Sequence, residues 1–106
     1  MADRPPDATM RLDRFLWWSR ISASRTYARA LAEGGRLRIN GRRVDRAHVP
    51  VRVGDILAFV SHLGKVRVVR IEALPARRGP PAEAAALYTP LETLASKAVD
   101  APGADA

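Results

Sequence analysis

The chain has 106 residues, no Cys, and 18 Lys plus Arg against 11 Asp plus Glu, for a net charge of +7. That length suits one small domain, and 19 of its apolar residues are Ala, so a large enclosed substrate cavity is not expected. Zero Cys excludes a disulfide framework and every thiolate metal site. No apolar run approaches a membrane span and no signal peptide precedes the first basic stretch, so a soluble cytoplasmic protein with no membrane partner is expected.

Residues 1–10, with Pro5-Pro6 and no periodicity, read as a disordered lead-in. Leu12, Phe15, Leu16 and Ser19 recur at helical spacing and predict a short helix over 12–19. Arg11, Arg14 and Trp17 fall off that stripe. Ser24 is placed to cap a second helix, Arg25 to Glu33. Tyr27, Ala28 and Leu31 form its apolar face, while Arg25 and Arg29 share another. Gly34-Gly35 supplies the stop.

Arg36-Leu37-Arg38-Ile39 alternates with period two, so Leu37 and Ile39 face inward. Asn40-Gly41 is a strong hairpin signal, and Arg42-Arg43-Val44 returns. Val49, Val51 and Val53 alternate, with Pro50 arguing for an edge or irregular strand. Ile56 to Val60 reads as a buried strand. Val66 to Leu74 is the longest strand candidate, and its slip at Val68-Val69 implies a bulge or burial on both faces. Ala82 to Tyr88 has helical propensity. Thr89-Pro90-Leu91-Glu92 has the capping-box pattern and predicts one more helix start. The expected fold class is α+β: two short helices packed on a small, mostly antiparallel four- to five-stranded sheet, with a C-terminal helical tail. The expected division is a lead-in over 1–10, a folded domain over 11–76 and a Pro/Ala-rich, acidic, partly helical tail over 77–106.

The charge is segregated along the chain. Residues 11–46 carry ten Arg and three acids, whereas residues 79–106 carry one Lys and four acids. Codon bias can account for Arg in place of Lys, but not for the scarcity of acids within 11–46. Such a density suits a polyanion, because each phosphate contact releases counterions. Enzyme chemistry is poorly supplied. His48 and His62 are the only His, and no glycine-rich phosphate loop, nucleophile elbow or zinc-binding His pair is present. The acids Asp13, Glu33, Asp45, Asp55 and Glu72 are scattered across separate elements, so no catalytic pair, cofactor site or metal site is expected.

Nucleic-acid contact is well supplied. Arg25 and Arg29 project from the second helix near its N-terminus, where a phosphate would meet free N–H groups and the Ser24 hydroxyl. Arg36, Arg42 and Arg43 flank the Asn40-Gly41 turn, whose backbone can approach a ligand closely. Guanidinium matches phosphate and base edges with paired hydrogen bonds. The alternative is a solvated Arg face. Trp17 and Trp18 cannot both point inward from so short a helix. One is free to stack on an unpaired base, or both close the core edge-on.

Arg11-Leu12-Asp13-Arg14-Phe15-Leu16, Ser24-Arg25-Thr26, Ala28-Arg29, Gly34-Gly35 and Leu37-Arg38-Ile39-Asn40-Gly41 resemble the small RNA-binding domain named after ribosomal protein S-four. The resemblance implies two helices against a small sheet and RNA contacts from the second helix and the Asn-Gly hairpin. It implies Arg11, Arg14, Arg25, Thr26, Arg29, Arg36, Asn40, Gly41 and Arg42 as contact residues. Trp17, Arg20 and the run Arg77-Arg78-Gly79-Pro80-Pro81-Ala82-Glu83 onward to Tyr88 resemble the stand-alone, ribosome-associated small heat-shock branch of this class. Trp18 and the acidic tail depart from that branch. The narrower resemblance implies a non-enzymatic, monomeric binder of ribosomal RNA. Its target would be the free large ribosomal subunit carrying a stalled nascent chain, with tRNA as a further partner. Arg20, Ser24 and Arg43 complete the expected RNA surface. The rival readings are a module of an RNA-modifying enzyme such as a pseudouridine synthase, a helix-turn-helix DNA binder, and a structural ribosomal protein. No catalytic domain is expected after the last strand.

Overall fold

The structure, a computed structural model, describes residues 8–61 and 63–92. In chain order its elements are β1 (Met10–Arg11), α1 (Leu12–Trp18), α2 (Arg25–Glu33), β2 (Leu37–Ile39), β3 (Arg42–Val44), β4 (Pro50–Val51), β5 (Ile56–Val60), β6 (Val66–Ile71), α3 (Pro81–Ala85) and β7 (Tyr88–Pro90). Five strands form one antiparallel sheet in the order β3-β2-β5-β6-β7, and β1 and β4 form a separate two-stranded ribbon. The architecture is the α+β arrangement that the residue pattern predicts.

At seven residues α1 is too short to persist alone. Two things hold it. Leu12, Phe15 and Leu16 are fully buried. The first helical N–H groups also find backbone partners: Leu12 donates to the Val49 carbonyl at 2.8 Å and Asp13 to the Ala47 carbonyl at 3.0 Å. Arg11 offers no side-chain cap, so the 47–49 segment does that work. The same segment runs into β4, where Val51 faces Met10 and Pro50 faces Arg11. A proline without an N–H is tolerated in such a ribbon. α2 follows the predicted boundaries, with the Ser24 hydroxyl oxygen accepting from the Tyr27 N–H at 3.0 Å.

Both helices share one core with the sheet. Leu37 and Ile39 of β2, Leu57 and Phe59 of β5, and Val69 and Ile71 of β6 point to the same side as Phe15, Ala28 and Ala32. The opposite sheet face leaves Ile56 and Val66 exposed. Tyr27 is only half-buried; Ala28 and Ala32 supply the buried face of α2.

Several expectations are corrected by tertiary pairing. The 49–53 alternation yields only the two-residue β4. β6 stops at Ile71 and has no bulge, since Val68 and Val69 face Ala58 and Leu57 in unbroken register. Val69 is buried and Val68 half-buried, so the slip reflects burial on both faces. The helix expected over 82–88 ends at Ala85, and Tyr88–Pro90 becomes β7 on the outer edge of β6. Without β7 that edge would present unpaired backbone groups. Thr89 therefore donates its hydroxyl to Glu72 at 2.7 Å rather than capping a helix. Leu91 and Glu92 are helical; the lead-in before Ala8, His62 and the tail beyond Glu92 lie outside the described residues.

Glu92 extends the work of β7. Its Oε1 accepts from the Val68 N–H at 2.9 Å and its Oε2 from Arg67 Nε at 2.8 Å. Burial pushes its carboxyl upward, but the Val68 N–H, its own backbone N–H and Arg67 outweigh burial and hold it below the usual carboxylate range. A lowered folded-state pKa contributes stability above the unfolded value and loses it as pH falls through the folded value. Glu92→Gln is expected to destabilise the fold by about 1 kcal/mol at neutral pH. As pH falls through the lowered folded-state value the two proteins should converge. Chemical denaturation of both proteins across pH checks this; a gap that persists in acid contradicts it.

Candidate nucleic-acid interface

Burial of one side of α1 turns its other residues outward. Arg11, Asp13, Arg14, Trp17 and Trp18 from the α1 region, with Arg25 opening α2, line a cleft of about 340 Å³. That volume lies at the lower end of the ~300–1,000 Å³ typical of ligand sites. The wall is both cationic and aromatic. Arg14 sits 5.4 Å from the centroid of the Trp18 ring, within cation–π range. Arg11 donates to both Asp13 oxygens, at 3.0 and 2.8 Å. That hydrogen bond, with the Asp13 charge, raises the Arg11 pKa. Arg14 and Arg25 have no carboxylate partner among the described residues.

The ion pairs sort the arginines. Carboxylates neutralise Arg67, Arg70 and Arg77 through Glu92, Glu72 and Glu83. Hydrogen bonds from Thr89 and from Arg70 hold Glu72 below the usual carboxylate range. On α2, Arg29 pairs with Glu33 one turn on, at 3.1 Å. Arg14, Arg25, Arg36, Arg42 and Arg43 of the helix pair and the hairpin carry no such partner among the described residues.

The expected surface residues therefore divide. Arg11, Arg14 and Arg25 meet in the cleft. Arg29 is exposed but already paired, and Thr26 is exposed in the first turn of α2. Ser24 serves as the α2 cap. Arg20 is anchored elsewhere, its Nε donating to the Gly79 carbonyl at 2.7 Å. It adopts φ of 62°, a left-handed conformation that costs a non-Gly residue about 1 kcal/mol or more.

The hairpin forms a second exposed group. Asn40 and Gly41 have φ of 51° and 87°, the pair of positive angles that a two-residue type I′ turn needs. Arg38 faces Arg43 and Ile39 faces Arg42 across it. Arg36, Arg38, Arg42 and Arg43 are exposed, and Arg38 steadies the turn by donating to the Gly41 carbonyl at 3.2 Å. Gly41 has open space where a side chain would be, so its backbone is accessible. The Asn40 side chain is not free for a ligand. Its Nδ2 donates to Asp55 Oδ1 and its Oδ1 accepts from the Ile56 N–H, both at 2.9 Å, clamping the hairpin to the start of β5. Asp55 in turn accepts from the Arg52 N–H at 3.0 Å.

Sequence reasoning missed two features. The Asp55 clamp requires the register of β2 on β5, which pairs Arg38 with Ala58 and Ile39 with Leu57. Arg78 stacks on Trp17, 61 residues away, with its guanidinium carbon 3.8 Å from the ring centroid. No local spacing signals either contact.

The comparisons with known proteins agree with this geometry. Residues 10–57 match the S4 domain model, a span that runs from β1 through α1, α2 and the hairpin into β5. Over these residues the chain carries an S4-type domain. The chain is similar to heat shock protein 15 of Escherichia coli K12, with 33% identity over 85 residues covering 78% of this chain and 61% of that protein. It is also similar to small ribosomal subunit protein uS4 of Kosmotoga olearia, with 37% identity over 68 residues covering 64% of this chain and 32% of that one. A trimeric structure of heat shock protein 15 from Vibrio cholerae superposes with a TM-score of 0.73 at 28% identity, covering 85% of this chain and 89% of that one. The matched region thus spans about 61% of the length of the Escherichia coli relative.

Asn40→Ala removes both side-chain bonds and puts at positive φ a residue that tolerates it less well than Asn, and should destabilise by about 2 kcal/mol or more. Asn40→Gly relieves the backbone but not the lost clamp, and should fall between Ala and wild type. Thermal melts of the three proteins check this order; equal loss for both variants would mean the backbone angle is irrelevant.

Proposed function

We propose that this chain is a non-enzymatic RNA-binding protein of the cytoplasm that engages ribosomal RNA. Its target on this reading is the free large ribosomal subunit carrying a stalled nascent chain, with tRNA as an additional contact. Its role is to help recycle such subunits under heat stress. The observation that carries the RNA reading is the cleft in which Arg14 and Arg25, without carboxylate partners among the described residues, stand beside Trp17 and Trp18. Guanidinium groups there can take phosphates while an indole face takes an unpaired base. Arg36, Arg42 and Arg43 continue the cationic surface onto the hairpin. The similarity to heat shock protein 15 supports the heat-stress part of the reading. The similarity to uS4 favours a second reading, a stoichiometric component of the small subunit. On the first reading the chain acts as a monomer, although the Vibrio cholerae relative is trimeric in its structure.

Most of the affinity is assigned to phosphate contacts and the selectivity to RNA shape and unpaired bases. Arg14→Ala with Arg25→Ala should weaken binding to structured RNA and make the plot of log affinity against log salt shallower by roughly 1.4 to 1.8. An unchanged slope in the folded double variant rejects the cleft. Sedimentation of tagged protein through a gradient of heat-stressed lysate then separates the ribosomal readings. Comigration with free large subunits supports the first, and stoichiometric comigration with small subunits the second.

A further inference from the structure

Arg20 and Arg78 lie together just past the C-terminal end of α1, beside the cleft and not among its lining residues. Two reciprocal bonds hold them. Arg20 Nε donates to the Gly79 carbonyl at 2.7 Å, and Arg78 Nε donates to the Trp17 carbonyl at 3.1 Å. Arg78 also lies flat against the Trp17 ring at 3.8 Å from its centroid. Each guanidinium thus uses its Nε on a backbone carbonyl. The terminal nitrogens of both make no further hydrogen bond among the described residues. Neither has a carboxylate partner there.

The simplest account is a staple that ties the segment after β6 to α1. It explains the Nε bonds and leaves three features unexplained. First, two like charges are set beside each other: burial, and then the Arg20 charge, lower the Arg78 pKa. A neutral donor would staple without that repulsion. Second, the nearby carboxylate is directed elsewhere, since Glu83 pairs with Arg77 at 3.0 Å. Third, Arg20 occupies a left-handed position, φ of 62°, where Gly or Asn fits with less strain. Local strain of this kind accompanies a functional constraint. A single anion between the two guanidiniums would offset their repulsion and take up the free N–H groups.

We propose that Arg20 and Arg78 together hold one phosphodiester of the bound RNA, extending the track from the cleft across the Trp17 ring to the end of α1. Trp17 is the shared wall, since it lines the cleft and carries Arg78 on its ring. The site rests on the RNA-binding reading and adds a contact that the helix pair and hairpin do not contain. Arg78, held flat by the indole, loses little further freedom on binding, which favours a contact at this position.

The test measures the salt dependence of affinity for one structured ribosomal RNA fragment, using the full chain and the variants Arg20→Gln, Arg78→Gln, their double, and Arg25→Gln as a reference. One lost phosphate contact should lower the slope by about 0.7 to 0.9. The double variant should show that drop once, and each single most of it, because both side chains serve the same phosphate. An unchanged slope in the folded double variant, with a shallower slope for Arg25→Gln, overturns the site and leaves the RNA reading standing. Absence of salt-dependent RNA binding by the wild-type chain overturns both. If the double variant melts early, arginine modification of the wild-type protein by phenylglyoxal decides. Bound RNA should slow modification of Arg20 and Arg78 several-fold, and protection of Arg25 without protection of these two contradicts the proposal.

Discussion

Leu12, Phe15 and Leu16 must all be buried at once, and a seven-residue helix has only one rotation that permits it. That rotation exposes Arg14 and leaves Trp17 and Trp18 half-buried at the rim of the core, where they meet Arg25 of the next helix. The helix cannot hold itself, so its N–H groups are tied to the Ala47 and Val49 carbonyls, and the chain from β3 to β4 becomes part of the site's foundation. A defect in that core would therefore disperse the cationic cleft without touching a single charged residue.

Carboxylates then decide where positive charge remains. Glu72, Glu83 and Glu92 draw arginines of β6 and the following segment into ion pairs. Exposed pairs of this kind add little stability each. Their larger effect is on the field: the sheet edge becomes nearly neutral, while the helix pair and hairpin keep their charge. Arg11 and Arg29 are the exceptions on the charged side, held by Asp13 and Glu33, and an incoming phosphate would compete with those carboxylates.

What was legible in the residues was what local chemistry controls. Ser24 and Gly34 mark the ends of α2 because capping and helix termination are decided within a few residues. Asn40-Gly41 marks the hairpin because positive φ at two successive positions is easiest for that pair. Tertiary pairing was not legible. Thr89-Pro90-Leu91-Glu92 carries the local signature of a helix start, and Leu91 and Glu92 are helical, but the open edge of β6 captures Tyr88–Pro90 as a strand just before them. β1 and β4, with two residues each, are too short to leave a periodic trace. In the site, Arg11, Arg14 and Arg25 were visible from their positions off the apolar stripes. The clamp role of Asn40 and the stack of Arg78 on Trp17 were not, because each depends on a partner distant in the chain.

The central claim is that the residual charge on the helix pair and hairpin makes one continuous face for ribose-phosphate chains. Amide hydrogen exchange of the full chain with and without bound ribosomal RNA tests it most directly. The account predicts slowed exchange over residues 11–29 and 36–43 with none along 66–72. Protection concentrated on 66–72, with the helix pair unaffected, would contradict it.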